Sequence, residues 1–313
     1  MTGLELARAY WEAYGAPMIR EEFPEYGEII AAALTGSGSE CYGFDDEVSR
    51  DHDFEPGFCL FIPGEDIVDR RTAFLLERAY AKLPAEFEGF RRQKMNPVGG
   101  QRHGVFRMDE YFTEKIGCPA EEIGMEQWLR LPEYALAEAV NGEVFRDPAG
   151  LLTDCRTKLM AMPEDARRKR IAGRLLMMAQ SGQYNYNRCL KHGETGAAQL
   201  AAGEFTRNTL SVMFLLNRTY MPYYKWSFRA LQKLPGGEDL GRSLEWLLTT
   251  GNEGQLAEDK YFTMEGIASQ VIDLLQEQGL TEATCGDLEK HAYSVNDGIR
   301  DSAVRNLHVL YCV

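Results

Sequence analysis

Apolar and polar positions follow two textures along this 313-residue chain, a short-period one first and a helical one after about residue 160. Residues 2–14 predict a helix. Thr2 and Glu5 fit a capping box, Trp11 and Tyr14 face the core, and Gly15 and Pro17 stop the segment. Residues 29–35 are apolar up to Thr35. Periodicity does not separate helix from buried strand there, and the glycines that follow favour a strand ending in a tight turn. A second strand is expected from Asp53 through Phe58 and Ile62 to Pro63, with Pro56-Gly57 bending it or marking a bulge. A helix over 65–83 has Ile67, Phe74, Leu75 and Ala79 among its apolar positions. A third strand is expected over 103–108, after the loop at 97–100, and a fourth over 143–146, bounded by Gly142 and Pro148. This alternation predicts a small α/β core.

The later helices are expected over 164–181, 196–217, 222–234 and 263–279. In the last, Thr263 is the expected N-cap, Ile267, Val271, Leu274 and Leu275 form the apolar stripe, and Gly279 ends it. The chain is thus expected to be α+β, with a small α/β domain over 1–150 and an α-helical domain over 151–313. The boundary falls between 118 and 160 without a Ser/Gly linker, so the two parts are expected to pack closely.

Charge and cysteine content narrow the function classes. A net charge of −14 argues against a surface that holds long DNA or RNA, while leaving room for one tRNA end or a small cationic substrate. None of the seven cysteines is spaced Cys-x-x-Cys, so free thiols in a reducing compartment are expected. The start carries no signal-peptide pattern, and no apolar run approaches the roughly 18 residues of a membrane helix. The expected location is the cytoplasm, with no membrane partner.

The candidate chemistry lies between residues 36 and 53. Gly36-Ser37-Gly38-Ser39 is followed by eleven residues and then Asp51-His52-Asp53. Glycines let a backbone approach phosphate oxygens, and the turn supplies N–H groups and the Ser37 or Ser39 hydroxyl. On a strand, Asp51 and Asp53 share one face and His52 takes the other. Two such carboxylates suit Mg²⁺, which binds through one or two acids plus substrate phosphates. Walker, dinucleotide-fold, His-Glu-x-x-His and Gly-x-Ser-x-Gly patterns are absent. The plain alternative is a polar loop with solvated acids.

Gly38-Ser39, the spacer and Asp51-x-Asp53 resemble the motif of the polymerase-β-like nucleotidyltransferase superfamily. Stretches beginning at Gly142, Gly182 and Leu216 resemble its DUF4037 branch, and that resemblance runs over most of 30–235. The resemblance implies a mixed-sheet nucleotidyltransferase core followed by a helical domain, one or two Mg²⁺ ions, and a nucleoside triphosphate, ATP foremost. Gly38 and Ser39 would hold phosphates, and Asp51 and Asp53 the metal. A third carboxylate is implied on the strand at 104–108. The expected position holds Phe106, and Asp109 follows at the strand's end.

Other residues offer supporting roles. Asn185 and Arg188 share a helix face, where Arg188 can grip phosphate and Asn185 can read a base or sugar. Their alternative is an interhelical hydrogen-bond network. Lys225, near a helix start marked by Pro222, can reach a triphosphate, and Tyr223 can stack on a base, whereas Trp226 is expected to pack. His103 is a candidate acceptor base. Asp45 and Asp46 offer contacts to a cationic substrate. Arg167-Arg168-Lys169-Arg170 reads as a solvated helix face. The leading expectation is an enzyme moving a nucleoside monophosphate from the triphosphate to the hydroxyl of a small molecule, protein or tRNA end, with release of pyrophosphate. The alternative is a catalytically impaired nucleotide- or partner-binding module of the same fold.

Overall fold

Strand β1 is Ala31–Leu34, wholly buried, and its small side chains let neighbouring elements close on both faces. The computed structural model that contains it describes residues 1–51, 54–92 and 102–313. The other strands are β2 (Cys59–Ile62), the short hairpin β3 (Glu86–Phe87) and β4 (Phe90–Arg91), β5 (Gly104–Arg107) and β6 (Glu143–Arg146). The main sheet has the order β5-β2-β1-β6. β1 pairs antiparallel with β2 and β6, and β2 pairs parallel with β5. The fold is thus α+β with a small mixed sheet.

The chain divides into two compact units, Met1–Ile123 with Ala135–Ala161, and Gly124–Tyr134 with Met162–Val313. In the first, Phe58, Leu60 and Ile62 lie against Tyr10, Trp11, Leu76 and Tyr80 of flanking helices. Phe61, pointing the other way, meets Phe106 and Tyr111. Burial on both faces explains why β2 reads as a continuous apolar run. The strand begins at Cys59, not Asp53, and Asp51 instead closes the 3-10 turn Val48–Asp51. The expected alternation of Asp51 and Asp53 along a strand therefore does not apply to Asp51.

The first helix also differs from expectation. Gly3–Tyr10 has the expected Thr2–Glu5 capping box, but Gly15 and Pro17 do not end it. A π turn over Trp11–Gly15 leads straight into a further helix, Ala16–Glu22, with Pro17 in its first turn. The next helix is Arg70–Ala81, capped by Asp69. Its buried side chains are Leu76, Ala79 and Tyr80, while Ile67, Phe74 and Leu75 are exposed. A helix over Met108–Ile116 directly follows β5.

The second unit is helical. Its long helices are Glu164–Met178, Thr195–Leu216 and Gln255–Glu277. The first continues through a π turn, Ala179–Asn185, into Tyr186–Lys191. The third begins eight residues before Thr263, whose hydroxyl bonds back to the Asp259 carbonyl within the helix and caps nothing. Gly279 ends it as expected, in a left-handed conformation. No helix among the described residues is long and apolar enough to cross a membrane.

The basic run 167–170 is not a solvated face. Arg167, Lys169 and Arg170 are buried and Arg168 is half-buried. Four consecutive helical positions sweep about 300° at 100° per residue, so neighbours surround this helix on nearly every side. Each side chain reaches a main-chain carbonyl at or just beyond the end of another helix. Arg167 donates to Leu215, Arg168 to Leu280, Lys169 to Arg305 and Leu307, and Arg170 to Trp128 and Leu131. Helix C-termini leave carbonyls without intrahelical partners and carry partial negative charge, so buried cations answer both needs. Lys169 also donates to Asn296 Oδ1 at 2.7 Å. Lys169→Met should destabilise the chain by about 2–4 kcal/mol by stranding these acceptors, whereas Arg242→Met on the surface should cost under ~0.5 kcal/mol. Urea unfolding of the two variants beside the parent checks the contrast.

Lys260 is also fully buried, donating to Gln199 Oε1, Thr250 O and Asn252 Oδ1 at 2.7–2.9 Å. Burial lowers its pKa to about 8. Between that value and the unfolded one near ~10.4, the unfolded chain binds more protons, so this residue's contribution to stability rises with pH. Below pH 8 its full cost is present. The stability difference between the parent and Lys260→Met should therefore shift in the parent's favour from pH 8 to 10, and a flat difference would contradict it.

Candidate functional site

β1 ends at Leu34 and the chain turns sharply through Thr35-Gly36-Ser37-Gly38 into a 3-10 turn, Ser39–Tyr42. Gly36 has φ 131°, a conformation that a side chain would strain. The turn is held from far along the chain by Asn141. Its Oδ1 accepts from Gly36 N at 2.9 Å and from Thr35 Oγ1 at 3.1 Å, and its Nδ2 donates to Gly36 O at 2.7 Å. Gly142 follows with φ 69°, and a Cβ there would stand 1.9 Å from Leu34 O. Its N–H donates to Cys41 O at 2.8 Å. The dipeptide Asn141-Gly142 thus fixes both sides of the turn before the chain enters β6.

A cleft opens over this turn, about 40 Å³ in its enclosed part, lined by Gly36, Ser37, Gly38, Glu40, Arg102 and His103. The helix Met108–Ile116 adds Tyr111 and, three and four residues on and so on its side of the helix, Glu114 and Lys115. Among the described residues, the N–H and hydroxyl of Ser37 and of Ser39 donate to no partner. The buried Tyr111 hydroxyl makes no hydrogen bond there either, with Thr35 the polar side chain beside it. Burial holds its pKa well above the usual phenol value, so it stays a donor. Arg102 donates to Glu40 at 2.7 Å, and Lys115 lies 3.5 Å from Glu138. Unspent donors, glycine backbone and two cations suit an anion with several oxygens.

The sequence-derived residues divide clearly. Gly38, Ser37 and His103 line the cleft, and Ser39 begins the 3-10 turn beside it. His103 Nδ1 lies 3.3 Å from Glu55 Oε1. Phe106 also lines the cleft, packed on Phe61 and Tyr111, so the cleft-facing position of β5 is aromatic. Asp109 is exposed in the first turn of the next helix and outside the cleft lining. Asp53 and His52 lie outside the described residues, as does the loop at 97–100, and Asp51 is described only in its backbone. Among the described residues no group of three His, Cys, Asp or Glu could hold a metal. Asp45 accepts from Gly3 N, and Asp46 accepts from Val48 N and Ser49 N. Asp46 closes a local turn, and Asp45 holds the start of the first helix from 42 residues away.

In the second unit, Asn185, Arg188, Tyr223 and Lys225 are all exposed. Arg188 donates to Tyr184 Oη at 3.0 Å, Lys225 lies over the Trp226 ring at 4.8 Å, and Tyr223 packs beside Tyr224 and Tyr134. The helix expected after Pro222 is present as Tyr224–Leu231.

Residues 128–227 match the family model of DUF4037, a domain of unknown function. The resemblance to that family holds over those residues. A solved structure of a nucleotidyltransferase-like protein from Exiguobacterium sibiricum 255-15 is 14% identical, over 90% of this chain and 80% of that one, with a TM-score of 0.38. No curated protein matches.

Sequence reasoning missed Asn141, Glu40, Arg102, Tyr111 and Lys115. Asn141-Gly142 is a turn signal in sequence, but its partner lies 105 residues away. Asn141→Leu removes three hydrogen bonds and should destabilise the chain by about 2–4 kcal/mol. Gly142→Ala should cost at least as much through strain and the clash with Leu34 O. Thermal unfolding of both variants, with Gly89→Ala (a left-handed glycine with open space around it) as the reference, checks the ranking.

Proposed function

We propose that this chain binds a nucleoside triphosphate by its phosphates at the Gly36–Ser39 turn and transfers the nucleoside monophosphate to an acceptor hydroxyl. The observation that carries this reading is the turn itself. It is held by Asn141, leaves the Ser37 and Ser39 donors unspent, and faces a cleft lined by Arg102, Lys115 and Tyr111. The acceptor oxygen attacks the α-phosphorus, the bond to the β-phosphate oxygen breaks, and pyrophosphate leaves with that electron pair. The acceptor's proton passes to a base, for which His103 at the cleft is better placed than exposed Asp109.

Asp51 and Asp53 are assigned to Mg²⁺ on their sequence spacing from the turn. Mg²⁺ bound with the phosphates offsets their charge. Asp51→Asn/Asp53→Asn should weaken Mg-ATP binding at least about tenfold in calorimetry, and an unchanged affinity would sink the metal assignment.

One observation favours a second reading, a binding module without turnover: the cleft-facing residue of β5 is Phe106, not an acid. α-labelled ATP incubated with the chain and cell extract separates the two. Label transferred to a product supports the enzyme, and nuclease or protease sensitivity of that product names the acceptor class. Binding with no transfer supports the module.

A further inference from the structure

The cleft over the turn already contains an anion of the chain's own. Glu40 Oε1 accepts from Arg102 Nη2 at 2.7 Å, and both side chains are largely buried, at 12% and 22% exposure. They lie directly over Gly38. A Cβ built on that glycine would stand 1.9 Å from Glu40 Oε1 and 2.1 Å from Arg102 Nη2. The backbone of Gly38 is extended, with φ −70°, so the conformation does not require glycine there. The atoms it would meet are the tips of two flexible side chains, so the glycine leaves room for this ion pair to rest on the turn, and the group that rests there is a carboxylate.

We propose that Glu40 is a place-holder for a substrate phosphate, and that Arg102 is the phosphate ligand it holds in position. The inference rests on the nucleotide reading above. Carboxylate and phosphate oxygens present similar acceptors to a guanidinium, so one Arg102 orientation serves both. A triphosphate entering over Gly38 displaces the Glu40 carboxylate into solvent and takes its hydrogen bond from Arg102. The pair keeps Arg102 oriented in a water-poor cleft without leaving its charge uncompensated. It also makes nucleotide binding a competition, because the binding-competent state has Glu40 swung away, and apparent affinity falls by the fraction of molecules in that state.

This predicts an inverted mutational pattern, in which removing an acid from the site tightens binding. Calorimetric titration with Mg-ATP and with inorganic tripolyphosphate plus Mg²⁺ tests it on the full chain. Glu40→Gln should tighten both ligands about three- to tenfold, since the neutral amide is a poor competitor for Arg102. Glu40→Asp, which keeps the charge on a shorter arm, should tighten them in the same direction and stands in if the glutamine variant folds poorly. Arg102→Met should weaken both about tenfold or more, and adding Glu40→Gln to it should bring no gain, because the competitor then has nothing to release. Unchanged or weaker binding in Glu40→Gln, with the parent binding normally, overturns the inference alone. A gain seen with ATP but not with tripolyphosphate also overturns it, since the contact is to phosphate. Failure of the parent and every variant to bind either ligand overturns the nucleotide reading and this inference together.

Discussion

The helical unit depends on one arrangement of charge: four consecutive basic residues inside a helix that other helices enclose. Carbonyls near the ends of surrounding helices are the polar groups hardest to satisfy in an all-helical core. Here the side chains of Arg167, Arg168, Lys169 and Arg170 extend outward from a single turn of Glu164–Met178 to carbonyls of four separate segments. The same contacts account for chain segmentation. Arg170 donates to Trp128 and Leu131, and it lies with Arg174 3.9 Å from Glu133, so Gly124–Tyr134 belongs with the helical unit although the residues on either side of it do not. A cluster that looks in sequence like a solvated face is the junction of the unit.

The first unit solves a different problem. Its turn must keep backbone donors accessible while being rigid, and rigidity cannot come from bonds those donors would make. The Asn141 side chain resolves this by bonding to Thr35 and Gly36 and leaving Ser37 and Ser39 alone. Gly142 allows the approach, because its missing side chain leaves room for Leu34 O.

The elements legible in the sequence were those with local signatures. The expected 143–146 strand is β6, the Thr2–Glu5 capping box forms, and Gly279 ends its helix. Less legible was anything set by distant partners. Gly15 and Pro17 look like a stop, yet the π turn carries the helix past them because Phe58 and Trp11 pack against Gly15. Phe74 and Leu75 are apolar but exposed, and no local pattern distinguishes them from Leu76. At the cleft, the glycines and serines stood out by composition. Arg102 and Tyr111 come from later segments, one ahead of β5 and one in the helix after it, and only the sheet order brings them to the turn.

Among the described residues two π turns interrupt otherwise α-helical runs, at Trp11–Gly15 and Ala179–Asn185, and each contains a glycine pressed against an aromatic ring. A Cβ on Gly15 would stand 2.5 Å from the Phe58 ring, and one on Gly182 2.4 Å from Phe205. A π turn holds more residues than an α turn, which changes the azimuth of everything downstream, by about 100° for each extra residue. The second π turn therefore acts as an angular shim. It allows Tyr186 to be buried in the helical core while Tyr184, Asn185 and Arg188, on the same continuous run, face outward. Gly182 leaves the room that the Phe205 ring occupies, so one turn carries both a packing contact in the core and the change of azimuth that turns a polar face outward.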